Sequence, residues 1–354
     1  MIVGSEHHQD LKEYYGKILQ STKDLKTKAC CMNGEKLPPS IRRALGLVED
    51  EILERFYSCG SPIPPLLEGL RVLDLGCGTG KDVFVASQLV GEKGYVIGVD
   101  MTEEQLEVGR RHIDSHMKKF GFSKPNIVFK QGFMEDLREL EIADESVDLV
   151  ISNCVLNLSP RKEDVFSEIF RVLKLGGELY FSDVFAGRRI PAQLKGNPVL
   201  HGECLAGAMY NEDFRRLMQK LNCSDHRIMS SRRIDLENHE IEGMVGMIDF
   251  HSVTVRAFKL ESLEDICEDY GQVATYQGSI PDHPHFFDLD DHHRFIAGKP
   301  MLVCGNTAAM VRDTRFGEHF RVDGDQSVHY GPFDCGPAAG RDEESESSAG
   351  GACC

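Results

Sequence analysis

Positive charge is scarce in this 354-residue chain: Lys and Arg number 40 against 57 Asp and Glu, a formal net charge of −17. A surface of that sign repels phosphate backbones and anionic lipid headgroups, so neither nucleic acid nor a membrane surface is an expected partner. Long apolar runs are missing too. None approaches the ~18 residues that a membrane span requires, and Met1–Asp10 is polar, without the apolar core and cleavage site of a secretory leader. The expected location is therefore cytoplasmic and reducing. The 12 cysteines include no C-x-x-C pair, the short ligand spacing usual in structural zinc sites. In a reducing compartment they are expected as thiols, serving as small buried apolar side chains or as reactive and ligand groups, and the chain is expected to fold without disulfides.

What is present is enough apolar content, 41%, to bury a sizeable core, at a length that suggests two to three domains. Residues 1–70 read as an N-terminal helical cap, with helix-like apolar spacing over Asp10 to Gln20 and Pro39 to Tyr57. Residues 71–221 alternate short apolar runs with amphipathic stretches. The runs are Val72 to Leu75, Tyr95 to Val99, Ile127 to Phe129, Val147 to Ser152 and Leu179 to Ser182. Strand–helix alternation predicts an α/β fold, a mostly parallel sheet wound on both faces. Thr102 and Gln105 form a capping-box pattern that opens a helix running to about Lys119. A second helix opens near Ser159-Pro160 and ends at Lys174, before Gly176-Gly177. Residues 222–330 are assigned to a smaller α+β domain, and 331–354, Gly/Ser/Glu-rich, to a disordered tail.

The run Val72 to Leu75 leads into Gly76-Cys77-Gly78-Thr79-Gly80 and then a helix from Lys81, a glycine turn that lets backbone approach a ligand closely. A dinucleotide fingerprint would need glycine where Lys81 stands. A phosphate-binding P-loop would need glycine at Leu75 and Ser or Thr at Asp82. Both fail. Asp74 instead places a carboxylate at the strand end, suited to a cationic amino-acid moiety, and Asp100 ends the next strand, where a carboxylate can accept both ribose hydroxyls. The strand, the D-x-G-x-G-x-G loop and this second acid together resemble the class I S-adenosylmethionine (SAM) methyltransferases, a Rossmann-like doubly wound fold. That likeness implies that Gln131-Gly132-Phe133-Met134 flanks the adenine and that Asn153 to Val155 lines the other side, with Cys77 and Gly80 also in the cofactor loop.

Ligands of such sheets bind at the carboxyl edge of the strands. Cys154 directly follows the run ending at Asn153, and Cys204 lies in a loop beyond the fifth strand, on the same side. Any single cysteine is more often a buried apolar filler than a ligand. Taken with Tyr14-Tyr15-Gly16, Lys28-Ala29-Cys30, Arg55 to Gly60, Asp74 to Gly80, Asp100-Met101-Thr102, Ser152 to Leu158, Arg171 to Lys174, Gly177 to Val184 and Gly202 to Leu205, the chain resembles the arsenite methyltransferases up to about Val322. The resemblance implies arsenic-binding cysteines at Cys30, Cys59, Cys154 and Cys204. It implies cofactor contacts at Tyr57, Gly76, Gly78, Asp100, Met101, Asn153 and Val155.

Trivalent arsenic is soft and exchanges hydroxyls for thiolates. Its lone pair can then attack a sulfonium methyl with no protein nucleophile and no general base. The resemblance implies arsenite and methylarsonous acid as substrates, mono- and dimethylated arsenicals as products, and a thiol reductant such as glutathione or thioredoxin. Two other readings stay open on the residues alone: a methyltransferase for a different small acceptor, and a thiol-rich arsenic-binding protein without turnover. An intact Asp74 to Gly80 loop and Asp100 argue against the second, because a buffer needs no sulfonium site.

Overall fold

The computed structural model describes residues 37–54, 60–202 and 204–335. Each of the five apolar runs lies within a strand: β1 (Arg71–Leu75), β2 (Tyr95–Asp100), β3 (Ile127–Gln131), β4 (Val147–Asn153) and β5 (Leu173–Ala186). They pair in parallel in the order β3-β2-β1-β4-β5, so the chain winds outward from β1 and then returns to its other side at β4. That reversal opens a crevice outside the carboxyl ends of β1 and β4. Alternation within β1 serves two cores. Leu73 and Leu75 join Val150, Phe166 and Phe181 on one face, and Val72 joins Phe84, Val96, Leu149 and Ile151 on the other. Fully burying such side chains stabilises by about 1.5–3 kcal/mol each.

Helices Lys81–Val90, Glu103–Arg111, Ile113–Phe120 and Lys162–Val172 cover these faces. The helix expected from Thr102 to Lys119 breaks at His112, whose carbonyl accepts from Nδ1 of His116 at 2.7 Å while that ring stacks on Phe84 at 3.8 Å. Thr102 is the N-cap, yet its side chain caps nothing; its N–H is bound to Oδ1 of Asp100 at 2.8 Å. The helix expected to end at Lys174 ends at Val172. Gly176-Gly177 lies inside β5, where a Cβ on Gly176 would stand 2.7 Å from the carbonyl oxygen of Asp313.

Toward the N-terminus, Pro39–Leu45 and Asp50–Leu53 are helical, and Ile41, Ala44 and Ile52 bury in the same core as helix Lys81–Val90. The helical stretch expected over Asp10 to Gln20 lies outside the described residues. Beyond β5 the sheet continues. β6 (Met209–Tyr210) pairs with the end of β5, while β7 (His226–Arg233) and β8 (Phe250–Phe258) extend it antiparallel, with β8 against β5. Small sheets follow: β9 (Glu268–Asp269) with β15 (Gly331–Pro332), β10 (Gln272–Tyr276) between β13 (Pro300–Val303) and β14 (Phe320–Asp323), and β11 (Phe286–Asp288) with β12 (Arg294–Ile296). They surround helix Gly305–Arg312 in a separate apolar cluster. Of residues 331–335, expected in the disordered tail, Gly331 and Pro332 pair with β9, and Phe333 N–H donates to the Cys267 carbonyl at 2.8 Å.

Among the described residues, two cysteines depart from the expectation of free thiols throughout: Cys154 and Cys267 are disulfide-bonded, whereas Cys77, Cys223 and Cys304 are free thiols. No helix among the described residues is long and apolar enough to cross a membrane.

Candidate active site

The glycine loop is pinned by backbone. Gly76 and Cys77 both donate to the carbonyl of Val99, at 2.8 and 3.0 Å, and Gly80 donates to that of Cys77 at 2.9 Å. Gly76, Gly78 and Gly80 all have left-handed φ, at 70°, 54° and 94°. Two of them are also confined by packing: a Cβ on Gly76 would stand 2.2 Å from Val155, and one on Gly80 2.6 Å from Phe129. Gly78 differs, because a Cβ there would meet nothing within 4 Å. Its backbone therefore borders open space, as a loop that cradles a ligand must.

Asp100 holds this loop. Its Oδ2 accepts from Gly78 N–H at 2.9 Å and its Oδ1 from Thr102 N–H at 2.8 Å. Burial raises its carboxyl above the usual range, against those backbone hydrogen bonds. Asp74, 3% exposed, is pushed well above that range by burial and by the neighbouring Asp82, with Lys81 opposing. Lys81 and Asp82 pair at 2.9 Å. Asn153 donates from Nδ2 to Oδ2 of Asp82 at 3.2 Å and to the carbonyl of Gly60 at 2.9 Å, while Ser152 Oγ donates to the carbonyl of Leu75 at 2.9 Å. The carboxyl ends of β1 and β4 are thus stitched into one acidic floor. Cys77 is a loop member whose side chain is buried, and burial pushes its thiol well up, so its side chain is packing. Gln131 donates to the carbonyl of Met101 at 3.4 Å, and Gly132 N–H to that of Asp100 at 3.0 Å, which sets Phe133 and Met134 beside the second strand's end. Val155 begins the turn after β4, against Gly76.

Cys154 and Cys204 meet. Both are buried, and both take left-handed backbone, with φ of 57° and 61°, a conformation that non-glycine residues adopt at a cost. Cys154 N–H donates to the carbonyl of Ser182 at 2.8 Å, and the Cys204 thiol donates to the carbonyl of Cys154 at 3.2 Å. Between them stands Asp183, which sequence reasoning missed as a site residue: one of its oxygens and the two sulfurs all lie within 4.8 Å of one another. Asp183 accepts from Asn157 N–H, Asn157 Nδ2 and Val184 N–H at 3.1, 2.7 and 2.8 Å, yet burial raises its carboxyl to about 6. Lys162 donates to the carbonyls of Asn157 and Ser159 at 3.0 and 2.9 Å; burial lowers it to about 8, with Asp183 opposing. The Cys204 loop closes on this turn through Gly207, where a Cβ would stand 2.0 Å from the Asn157 carbonyl oxygen. Only the place of Asp183 one step past a run of apolar residues could have signalled it. Cys30, Tyr57 and Cys59 lie outside the described residues.

Comparison with known proteins bears on both halves of this arrangement. Residues 66–222 match the family described as a methyltransferase domain, and residues 270–354 the arsenite methyltransferase C-terminal domain. An arsenite methyltransferase of Aquipseudomonas alcaligenes is 47% identical over 98% of this chain and 100% of its own length. That of Mus musculus is 44% identical over 89% of this chain and 83% of its own. The crystal structure of an arsenic(III) S-adenosylmethionine methyltransferase from Chlamydomonas reinhardtii superposes with a TM-score of 0.82 at 53% identity, covering 84% of this chain and all of that one. The parallel sheet with its acid-anchored glycine loop is accordingly a class I methyltransferase fold, and the chain belongs to the arsenite methyltransferases.

Proposed function

We propose that this enzyme transfers methyl groups from SAM to trivalent arsenic held by Cys154 and Cys204, with Cys30 and Cys59 delivering arsenic or supplying a third sulfur. The observation that carries this reading is the convergence of Cys154, Cys204 and Asp183 at the carboxyl edge of β4 and β5, beside the loop that Asp100 anchors. The residues present fit the methyl donor: open space over Gly78, a carboxylate at the end of β2 for ribose hydroxyls, and Asp74 with Asp82 for a cationic amino-acid end. When bound, SAM supplies an electrophilic methyl on a sulfonium. Gly78, Met101, Phe133, Met134, Asn153 and Val155 would border it.

On the acceptor side each thiol replaces one hydroxyl of arsenite, its proton leaving with that hydroxyl as water. Asp183, titrating near neutrality, is placed to carry the proton between the two. The arsenic lone pair then needs no base. What the protein contributes is orientation in a buried site, a proximity effect of ~7 kcal/mol or more. Because Cys154 is disulfide-bonded, the site must be reduced by two electrons before it can ligate, which supports a thiol reductant such as glutathione or thioredoxin. Arsenite and methylarsonous acid as successive substrates, a cytoplasmic location, and the division into a cap (1–70), a SAM-binding core (71–221), a C-terminal domain (222–330) and a tail (331–354) belong to the same proposal.

Incubation with arsenite, labelled SAM and glutathione, with arsenic species separated by chromatography, tests it. Cys154→Ser and Cys204→Ser, which keep size but remove the soft ligand, are each expected to abolish methylation of arsenite and of methylarsonous acid in a folded protein. Cys30→Ser and Cys59→Ser should stop the first reaction and spare much of the second. A serine at 154 or 204 that still methylates methylarsonous acid near the wild-type rate would sink the assignment.

A further inference from the structure

Three sulfurs meet in a second place, beside the apolar cluster around helix Gly305–Arg312. The Sγ atoms of Cys267, Cys304 and Cys335 all lie within 4.8 Å of one another. Three separate segments bring them there. Cys304 follows β13 and caps the helix, its sulfur accepting from Thr307 N–H at 3.4 Å. Cys267 precedes β9 and Cys335 follows β15. The ladder Asp269↔Gly331 and Glu268↔Pro332, extended by the bond from Phe333 N–H to the Cys267 carbonyl at 2.8 Å, fixes their approach. Cys267 and Cys304 are buried and Cys335 is half-buried, which leaves a way in from solvent.

We propose that Cys267, Cys304 and Cys335, with Cys267 reduced, form a second binding site for trivalent arsenic, distinct from the one at Cys154 and Cys204. The choice of arsenic rests on the methyltransferase reading, whereas the site itself rests on its three sulfurs. Reduction consumes two equivalents of a monothiol, which leave as a disulfide and free the Cys267 thiol together with that of its disulfide partner. Three thiols then replace the three hydroxyls of arsenous acid, their protons leaving in three waters, with no change of oxidation state. The product is neutral and three-coordinate. A structural zinc ion would call for a fourth ligand, and among the described residues this cluster holds three. Charge is already balanced nearby: Arg227 pairs with Asp225 at 2.6 Å and Asp290 at 3.1 Å. The hydrogen bond from Cys335, then Arg227 and Thr307, hold the Cys304 thiol down to about 5 against its burial.

The test is binding, so it is separable from turnover. The full chain with serine at Cys30, Cys31, Cys59, Cys154, Cys204, Cys353 and Cys354, reduced with a phosphine, is incubated with arsenite and desalted. Arsenic per chain is then counted by mass spectrometry and its sulfur neighbours by X-ray absorption. One arsenic with three sulfur neighbours is expected, lost on adding Cys304→Ser or Cys335→Ser. Serine at 304 retains an oxygen that can cap the helix, and position 335 is outside the core, so neither change should unfold the chain. If the seven-serine background is itself misfolded by circular dichroism, Cys304→Ser in the otherwise unaltered reduced chain should still lower retained arsenic by one per chain. No arsenic retained by the folded, reduced background overturns the proposal, as does retention indifferent to both serines or zinc displacing arsenite in competition. Failure here with methylation intact would leave the proposed function standing.

Discussion

Asp183 carries more tension than any other side chain beside the two cysteines. Three donors surround its carboxylate, but burial outweighs them and raises it from an ordinary 3.8 to about 6. The folded chain therefore holds this proton more tightly than the unfolded chain does. Stability from that source is complete below about pH 4 and is lost as pH rises through about 6, a change of about 3 kcal/mol. Asp183→Asn cannot titrate. The wild-type stability minus that of the variant, measured by urea unfolding, should fall by that order between pH 4 and pH 7. A flat difference would mean that the carboxylate stays ionised across the range and has no proton to exchange with the thiols. The left-handed backbone of Cys154 and Cys204 is a second local cost, of about 1–3 kcal/mol each, kept where two sulfurs must face each other.

At the scale of elements, the glycine loop and the turn after β4 are one unit, because Gly76 leaves room for Val155. Gly76→Ala should cost about 1–2 kcal/mol for a side chain at positive φ and a further ~1–3 kcal/mol for overpacking against Val155. Val155→Ala removes the two methyls at 2.2 and 2.5 Å but keeps a Cβ at 2.7 Å, so it should recover some of the second part and none of the first, and a double-mutant cycle in urea should show coupling of about 0.5 kcal/mol or more. Strict additivity would deny the contact. The five parallel strands were legible in the sequence because both their faces are buried and they read as continuous apolar runs. The position of Cys154 was legible because it directly follows one of them. Other features were set by tertiary contacts with no local mark. Gly176 looked like a helix stop but serves the approach of β5 to Asp313. β7, His226–Arg233, has four exposed residues at its end and shows little apolar pattern, so its place in the sheet was hidden. Asp183 was hidden too, as an acid set among apolar residues in a strand that also carries Glu178.

Across the whole molecule, the sheet and the C-terminal region are joined by a buried ion cluster centred on Glu178. Arg256 donates from Nε to Oε1 of Glu178 at 2.6 Å, and Arg315 pairs with Oε2. Arg256 also donates to the carbonyl of Leu289 at 2.5 Å, and Arg315 to that of Pro65 at 3.1 Å, so β5, β8, the C-terminal sheets and the segment before β1 share one knot. Burial lowers Arg315 below its usual value, opposed by Glu178, while Arg256 lies within 5.3–6.0 Å of the rings of Tyr180, Phe258, Phe287 and Phe316. Such a cluster adds little over apolar packing of the same volume, but removing one member strands the opposite charge and typically costs about 3–5 kcal/mol. Glu178→Gln keeps the shape and leaves two guanidiniums with no carboxylate. It should lower Tm by on the order of 10 °C at a few degrees per kcal/mol. Glu178 pairs with Leu149, at the end of the sheet away from Asn153 and Cys154. SAM affinity at low temperature should therefore be unchanged. Loss of SAM binding in the folded variant, or an unshifted Tm, would show that this knot does not hold the two regions together as argued.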